Sequence, residues 1–289
     1  LIAGPRQVGK TRLARRKLSE AGCSTLYFNW DDPITRRAYF ADPRFFESKA
    51  RSTRVKEPYT EPWIVFDEIH KRRHWRDILK GVYDVFGEEF RFLVTGSARL
   101  DMFRRSGDAL VGRYNLFHML PLSLSEALSN PRRTCFLAQP SAPKVAKKLN
   151  RAIDERWDGD GAGGNARSLQ EAYETLLRFG PFPEPFLRQN DRFSRIWHRD
   201  YLTLLIREEL RDISRVVELD KLENLTTLLP TKIGAPLSMA NLARDLEAAH
   251  TSIKRWLEQL RRLYLIFPLY PWHKKVSRGL KKEKKWYFL

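Results

Sequence analysis

Cysteine is almost absent from this chain of 289 residues: Cys23 and Cys135 are the only two, far apart and without metal-ligand spacing. That argues against a disulfide framework and a cysteine-built zinc site, and leaves two reduced thiols in a protein expected to be cytoplasmic. No apolar run approaches the roughly 18 residues that suggest a transmembrane helix, so no membrane partner is expected. No secretory leader is visible and no internal repeat is apparent. Acidic residues are also scarce: 35 Asp and Glu stand against 53 Lys and Arg, a formal net charge of +18. The excess is not even, because residues 250–289 hold 11 Lys and Arg and only 2 Asp and Glu. Clustered positive charge points to an anionic partner, nucleic acid first. The plainer alternative is an arginine-rich proteome that makes every protein basic.

Against these absences, two segments carry chemistry. Gly4-Pro-Arg-Gln-Val-Gly-Lys-Thr11 fits the phosphate-binding pattern G-x-x-x-x-G-K-[ST]. Gly4 and Gly9 let the backbone turn its N–H groups toward a polyphosphate, and the following helix adds the positive end of its dipole. Lys10 can reach the β- and γ-phosphates, and Thr11 offers a hydroxyl to Mg²⁺. Pro5, Arg6, Gln7, Val8 and Arg12 complete the candidate nucleotide-binding set, with Arg6 placed either on phosphate or in solvent. The second segment, Trp63-Ile-Val-Phe-Asp-Glu68, is an apolar run closed by two carboxylates. A strand buried on both faces reads as such a run, and its C-terminal end opens on the ligand crevice of a parallel sheet. Asp67 is the candidate second Mg²⁺ ligand and Glu68 the candidate general base.

Residues 1–130 alternate strand and helix patterns, the signature of a parallel α/β sheet. Strands are expected over 1–3, 24–29, 63–66, 90–95 and 113–119, with helices over 11–21 and 75–86. The helix over 75–86 is expected to bury Trp75, Ile78, Leu79, Val82 and Tyr83, and another follows a cap at Ser123 or Ser125. The phosphate loop begins three residues into the chain, so the expectation is a fragment lacking most of its first strand. Residues 131–191 form a linker, an insertion and a helical lid, with Asp158–Asn165 expected to be mobile. Residues 192–289 read as mostly helical, with Tyr201, Leu204 and Leu205 opening one helix. Ser238 caps another, and Ile253, Trp256, Leu257, Leu260 and Tyr264 form the apolar face of a third. Two strand-like stretches, 265–270 and 285–289, complete a winged helix-turn-helix pattern.

Further segments carry a resemblance. They are Trp30-Asp-Asp-Pro33, Val65-Phe-Asp-Glu-Ile-His-Lys71, Trp75 with Leu79-Lys-Gly81, Leu93-Val-Thr-Gly-Ser-Ala98, Leu110-Val-Gly-Arg-Tyr114 and Pro121-Leu-Ser-Leu-Ser-Glu126. With the phosphate loop, the Gly-Pro-Phe-Pro-Glu stretch at 180–184 and the closing Trp286-Tyr-Phe, the chain resembles the AAA+-related AAA_14 ATPases fused to a DUF4143 region. The resemblance implies an α/β P-loop NTPase with sheet order 5-1-4-3-2 and ATP at its C-terminal edge. It implies that Thr95 or Ser97 senses the γ-phosphate and that Arg113 is a finger acting in cis or from a neighbouring subunit. It also implies sequence beyond the last Tyr-Phe strand.

The leading function from these readings is Mg²⁺-dependent ATP hydrolysis coupled to a basic winged-helix region. A second is a nucleotide-gated regulator that binds DNA, a protein partner or a second copy of itself. There the helix 251–264, with Lys254, Arg255, Arg261 and Arg262, would enter a groove. Lys274, Lys275, Lys281 and Lys282, together with Lys284 and Lys285, would meet phosphates. A small-molecule kinase fits less well, because paired carboxylates favour water activation. His70 reads as a packing residue.

Overall fold

The computed structural model describes residues 1–53, 61–96, 112–128, 162–209, 216–272 and 282–289. The chain forms two compact units: Leu1–Leu120 together with Tyr201–Leu289, and Pro121–Asp200.

The first unit is built on a five-stranded sheet. Its strands are β1 (Ile2–Ala3), β2 (Tyr27–Asn29), β3 (Trp63–Asp67), β4 (Arg91–Thr95) and β5 (Phe117–His118), in the order 2-3-4-1-5. Read from the other edge this is the expected 5-1-4-3-2, and every pairing is parallel. The register sets Asn29 beside Asp67, Asp67 beside Thr95, and Thr95 beside Ile2. One row of strand ends therefore runs across the sheet beside the loop that leaves β1.

Helix α1 (Lys10–Ala21) buries Ala14 and Leu18, while Leu13 stays 43% exposed. Gly22, at φ +76°, ends it in the left-handed conformation that glycine adopts without strain. Between β2 and β3 lie two helices that the periodicity reading passed over, α2 (Pro33–Ala41) and α3 (Glu47–Ser52). The signal for α2 was local: Asp32 accepts from the Ile34 amide as N-cap, and Pro33 stands in the first turn. Helix α4 (Trp75–Phe86) has the expected bounds and buries Trp75, Leu79 and Phe86. Tyr83, expected inside, is 42% exposed. The core is aromatic: Phe46, fully buried, meets Phe66, Phe86, Phe90 and Phe92, each edge to face.

In the second unit, Ser123 caps α5 (Leu124–Ala127) with a complete capping box to Glu126. Then come α6 (Ala162–Phe179), α7 (Pro183–Arg188) and α8 (Asp191–Leu204), of which Asp200 is the last residue in this unit. Residues 162–165, expected as part of a mobile stretch, are the first turn of α6; 158–161 lie outside the described residues. Tyr201 and Leu204 close α8 rather than open a helix, and the chain passes into one π turn at Leu205–Glu209.

The rest of the first unit is α9 (Val216–Leu228), α10 (Met239–Asp245), α11 (His250–Arg262), β6 (Ile266–Leu269) and β7 (Lys285–Phe288). Ser238 caps α10 as expected, its hydroxyl accepting from the Asn241 amide. Helix α11 buries Ile253, Trp256, Leu257 and Leu260 along one face, which the 3.6-residue period required. β6 and β7 pair antiparallel, Ile266 with Phe288 through Leu269 with Lys285. No helix among the described residues is long and apolar enough to cross a membrane.

Candidate functional site: the phosphate loop and the strand-end carboxylates

Between β1 and α1 the chain makes a tight loop. Gly4 lies under the chain leaving β5: a Cβ built on it would stand 2.1 Å from the Met119 carbonyl oxygen, so only glycine fits. Met119 in turn donates its amide to the Ala3 carbonyl, which holds the two segments together. Gly9, at φ +100°, leads into α1, whose first turn carries no acidic residue to compete with an anion at its N-terminus. Pro5 and Val8 are buried, Arg6 is half-buried, and Gln7 and Arg12 are exposed. Lys10 is 7% exposed, and its ammonium donates to the carbonyls of Gly4, at 3.0 Å, and Pro5, at 2.5 Å. It is therefore held inside the curl of the loop.

The β3 end meets this loop from the side. The Thr11 hydroxyl donates to Asp67 Oδ2 at 2.8 Å, joining the two candidate Mg²⁺ ligands across 56 residues of sequence. Asp67 is 2% exposed and also accepts from the hydroxyls of Tyr27, at 2.5 Å on Oδ2, and Thr95, on Oδ1. Three hydroxyl donors thus fix the orientation of one buried carboxylate. Burial and the bond to Asp67 push the Tyr27 phenol up to about 12, so it stays a neutral donor. The sequence singled out Thr95 but not Tyr27; a tyrosine in an apolar strand carries no local sign of such a partner. The Arg15 guanidinium stands 4.4 Å over the Tyr27 ring.

Glu68 follows in the left-handed conformation, at φ +58°, with its amide bonded to the Thr95 carbonyl at 3.0 Å. That turn carries its side chain off the strand axis. Its carboxylate lies 3.6 Å from Lys71 Nζ and 3.6 Å from His70 Nε2. Burial raises the Glu68 carboxyl above its ordinary value and the charge of Asp67 adds to this, while Lys71 opposes both. A carboxylate displaced toward neutrality is the better proton acceptor near pH 7. Lys71 also bridges to both Asp31 oxygens at 2.7 Å. His70, read as a packing residue, is 9% exposed, and Glu68 lies beside its ring.

Arg113 is not brought to the loop of its own chain. It precedes β5 at the opposite edge of the sheet, where it pairs with Asp84 in the last turn of α4 at 2.6 Å. Ser97 lies outside the described residues, as do Lys274, Lys275 and Lys281. Lys254, Arg255 and Lys282 are exposed, whereas Arg261 and Arg262 both pair with Glu258, at 2.8 and 3.1 Å. Glu258 thus sits among the cations of the expected basic face on α11.

Residues 1–128 match the AAA domain, AAA_14. The match and the parallel sheet order support a P-loop ATPase domain of the AAA type. Residues 170–289 match a domain of unknown function, DUF8612, which replaces the DUF4143 expected from the sequence. Similar proteins include the uncharacterized protein Rv2008c of Mycobacterium tuberculosis, 24% identical over 287 residues, with 99% of this chain and 53% of that protein covered. The uncharacterized protein MJ1637 of Methanocaldococcus jannaschii is 27% identical over 301 residues, covering 100% of this chain and 60% of the relative. The chain therefore spans about half to three fifths of the length of these relatives. Among solved structures, the Thermotoga maritima RuvB Holliday junction branch migration motor aligns at TM-score 0.35 and 15% identity, covering 98% of this chain and 86% of that one. The Aeropyrum pernix ORC1 protein in complex with DNA aligns at TM-score 0.32 and 17% identity, covering 99% and 82%.

Proposed function

We propose that residues 1–128 bind ATP with Mg²⁺ and hydrolyse it. The observation that carries this is the convergence of Lys10, Thr11, Asp67 and Glu68 at one sheet edge, with Thr11 and Asp67 in direct contact at 2.8 Å. The Thr11 hydroxyl and Asp67 carboxylate are hard oxygen donors, the kind Mg²⁺ prefers, and would hold the ion. When bound, Mg²⁺ neutralises charge on the β- and γ-phosphates. Lys10 and the loop amides bind the phosphates, Glu68 orients and deprotonates water, and Thr95 positions Asp67 from β4. Arg113 faces away from this site, so a finger role for it requires a neighbouring subunit.

The experiment is ATP turnover with Mg²⁺, with and without duplex DNA, beside the variant Glu68→Gln. We expect the variant to keep ATP binding and lose about 10²–10⁴-fold in turnover, the usual contribution of a general base. Turnover equal to the parent's in Glu68→Gln would remove the base assignment.

A second reading is favoured by the C-terminal elements. Helices α10 and α11 followed by the β6–β7 ladder, with Lys254, Arg255 and Lys282 exposed, fit a winged helix that takes DNA or a protein partner. Nucleotide would then act as a switch. Salt-independent DNA affinity, or none, would exclude the DNA form of this reading.

A further inference from the structure

Beyond the end of β2 the first unit contains a cavity of about 620 Å³ that shares only Lys71 with the ATP machinery. Its lining includes Arg36, Arg37 and Phe40 from α2, and Lys71, Arg72 and Arg73 from the turn after β3. Five cations thus face one carboxylate, Asp31, and Lys71 already holds both of its oxygens at 2.7 Å. Among the described residues, Arg36, Arg37 and Arg73 have no carboxylate within ion-pairing distance, and all three are exposed. Like charges gathered in a concave site repel, and an anion relieves that repulsion. Most of these cations are arginines, whose planar forks match phosphate oxygens two at a time.

The cavity has a second property. The Phe40 ring is 66% exposed although it sits beside charge, and the Arg72 guanidinium lies 4.6 Å from its centroid. Arg72 also lies 5.6 Å from the Tyr39 ring. An arginine backing an exposed aromatic ring makes a platform on which an unpaired base stacks, while neighbouring arginines take the phosphates on either side. The volume falls within the range of pockets that enclose nucleotide-sized ligands. A duplex has no unstacked base to offer such a ring, and Asp and Glu side chains have no aromatic face for it.

We propose that this cavity binds single-stranded nucleic acid, with Arg36, Arg37 and Arg73 on the phosphodiester backbone and Phe40 stacked on a base. The site is separate from the exposed face of α11 and does not depend on ATP turnover. Lys71 joins it to Glu68, 3.6 Å away, so the strand would lie next to the proposed hydrolytic carboxylate.

The test is fluorescence anisotropy of a fluorescein-labelled oligothymidylate with the full chain, without nucleotide, across a salt series. The variants are the triple Arg36→Gln/Arg37→Gln/Arg73→Gln, Phe40→Ala, Phe40→Trp and, as reference, Lys254→Gln/Arg255→Gln. The triple variant is expected to lose at least about tenfold in affinity near 0.1 M salt and to lower the log–log salt slope by about 2, at roughly 0.7 per phosphate contact. Phe40→Ala should weaken binding about tenfold, and Phe40→Trp should restore it. Unchanged melting temperatures, expected for these exposed positions, separate lost binding from lost folding. The proposal is overturned if the parent does not bind the oligonucleotide, or if both the triple and Phe40→Ala variants bind as the parent does. A loss seen only in Lys254→Gln/Arg255→Gln would place the strand on α11 instead. Equal competition by polyglutamate, with Phe40→Ala silent, would overturn the nucleic-acid assignment in favour of an acidic protein. None of these outcomes bears on whether Glu68 supports hydrolysis.

Discussion

Gly4→Ala is the sharpest test of the loop geometry. The added Cβ would stand 2.1 Å from the Met119 carbonyl oxygen and 3.1 Å from its carbon, both backbone atoms that no rotamer change can move. The loop or the segment after β5 must shift, and Met119 is also the residue whose amide bonds Ala3. Overpacking of this kind costs about 1–3 kcal/mol, and a non-glycine residue at φ +157° adds backbone strain of about 1–3 kcal/mol. A total near 3 kcal/mol corresponds to a fall of about 6–12 °C in Tm for a unit of this size. The matched control is Gly81→Ala. Gly81 lies inside α4, and a Cβ there meets nothing within 4 Å. Removing helical glycine should stabilise by about 0.5–1 kcal/mol, so this variant should melt slightly higher than the parent. Thermal unfolding followed by circular dichroism, with ATP affinity measured alongside, reads both. Gly4→Ala should melt lower and bind ATP more weakly. If it melts with the parent, the close packing of the loop against the segment after β5 is wrong.

Other outcomes follow from the same geometry. Lys10→Ala should abolish ATP binding in equilibrium titration, because the ammonium held in the loop is the charge placed to meet the phosphates. Burial raises the folded-state pKa of Glu68, so its ionised form opposes folding. That destabilisation is absent below the ordinary carboxylate range and grows as pH rises through the displaced value. Glu68→Gln should therefore melt above the parent at neutral pH, with the gap closing in acid; a constant gap across pH would refute the cause. Lys71→Met removes the cation that opposes this shift and should move the acid limb of turnover to higher pH. Trp256, 1% exposed in α11, should cost about 3–5 kcal/mol on truncation to Ala, read by urea unfolding.

What could be read before the structure was whatever is encoded by neighbours in the chain. The phosphate loop, the Asp67–Glu68 pair and the span of α4 are local patterns, each produced by backbone demands or helical period within a dozen residues. The cap of α2 at Asp32 and Pro33 was equally local, yet its weak apolar periodicity hid it. By itself the sequence determined that β3 would be buried on both faces, that glycine must begin and end the loop, and that α11 would bury one face. Only the tertiary structure decided what those parts meet. The register that sets Asn29, Asp67 and Thr95 in one row brings the Thr95 hydroxyl and that of Tyr27, 40 residues away, to a single carboxylate, and α1 adds the hydroxyl of Thr11. The same packing sends Arg113 to the far edge of the sheet and pairs it with Asp84. It also gathers arginines from α2 and from the turn after β3 around one cavity. Such meetings depend on strand order and register, which arise from the burial of many side chains at once, and no single stretch of the chain carries them.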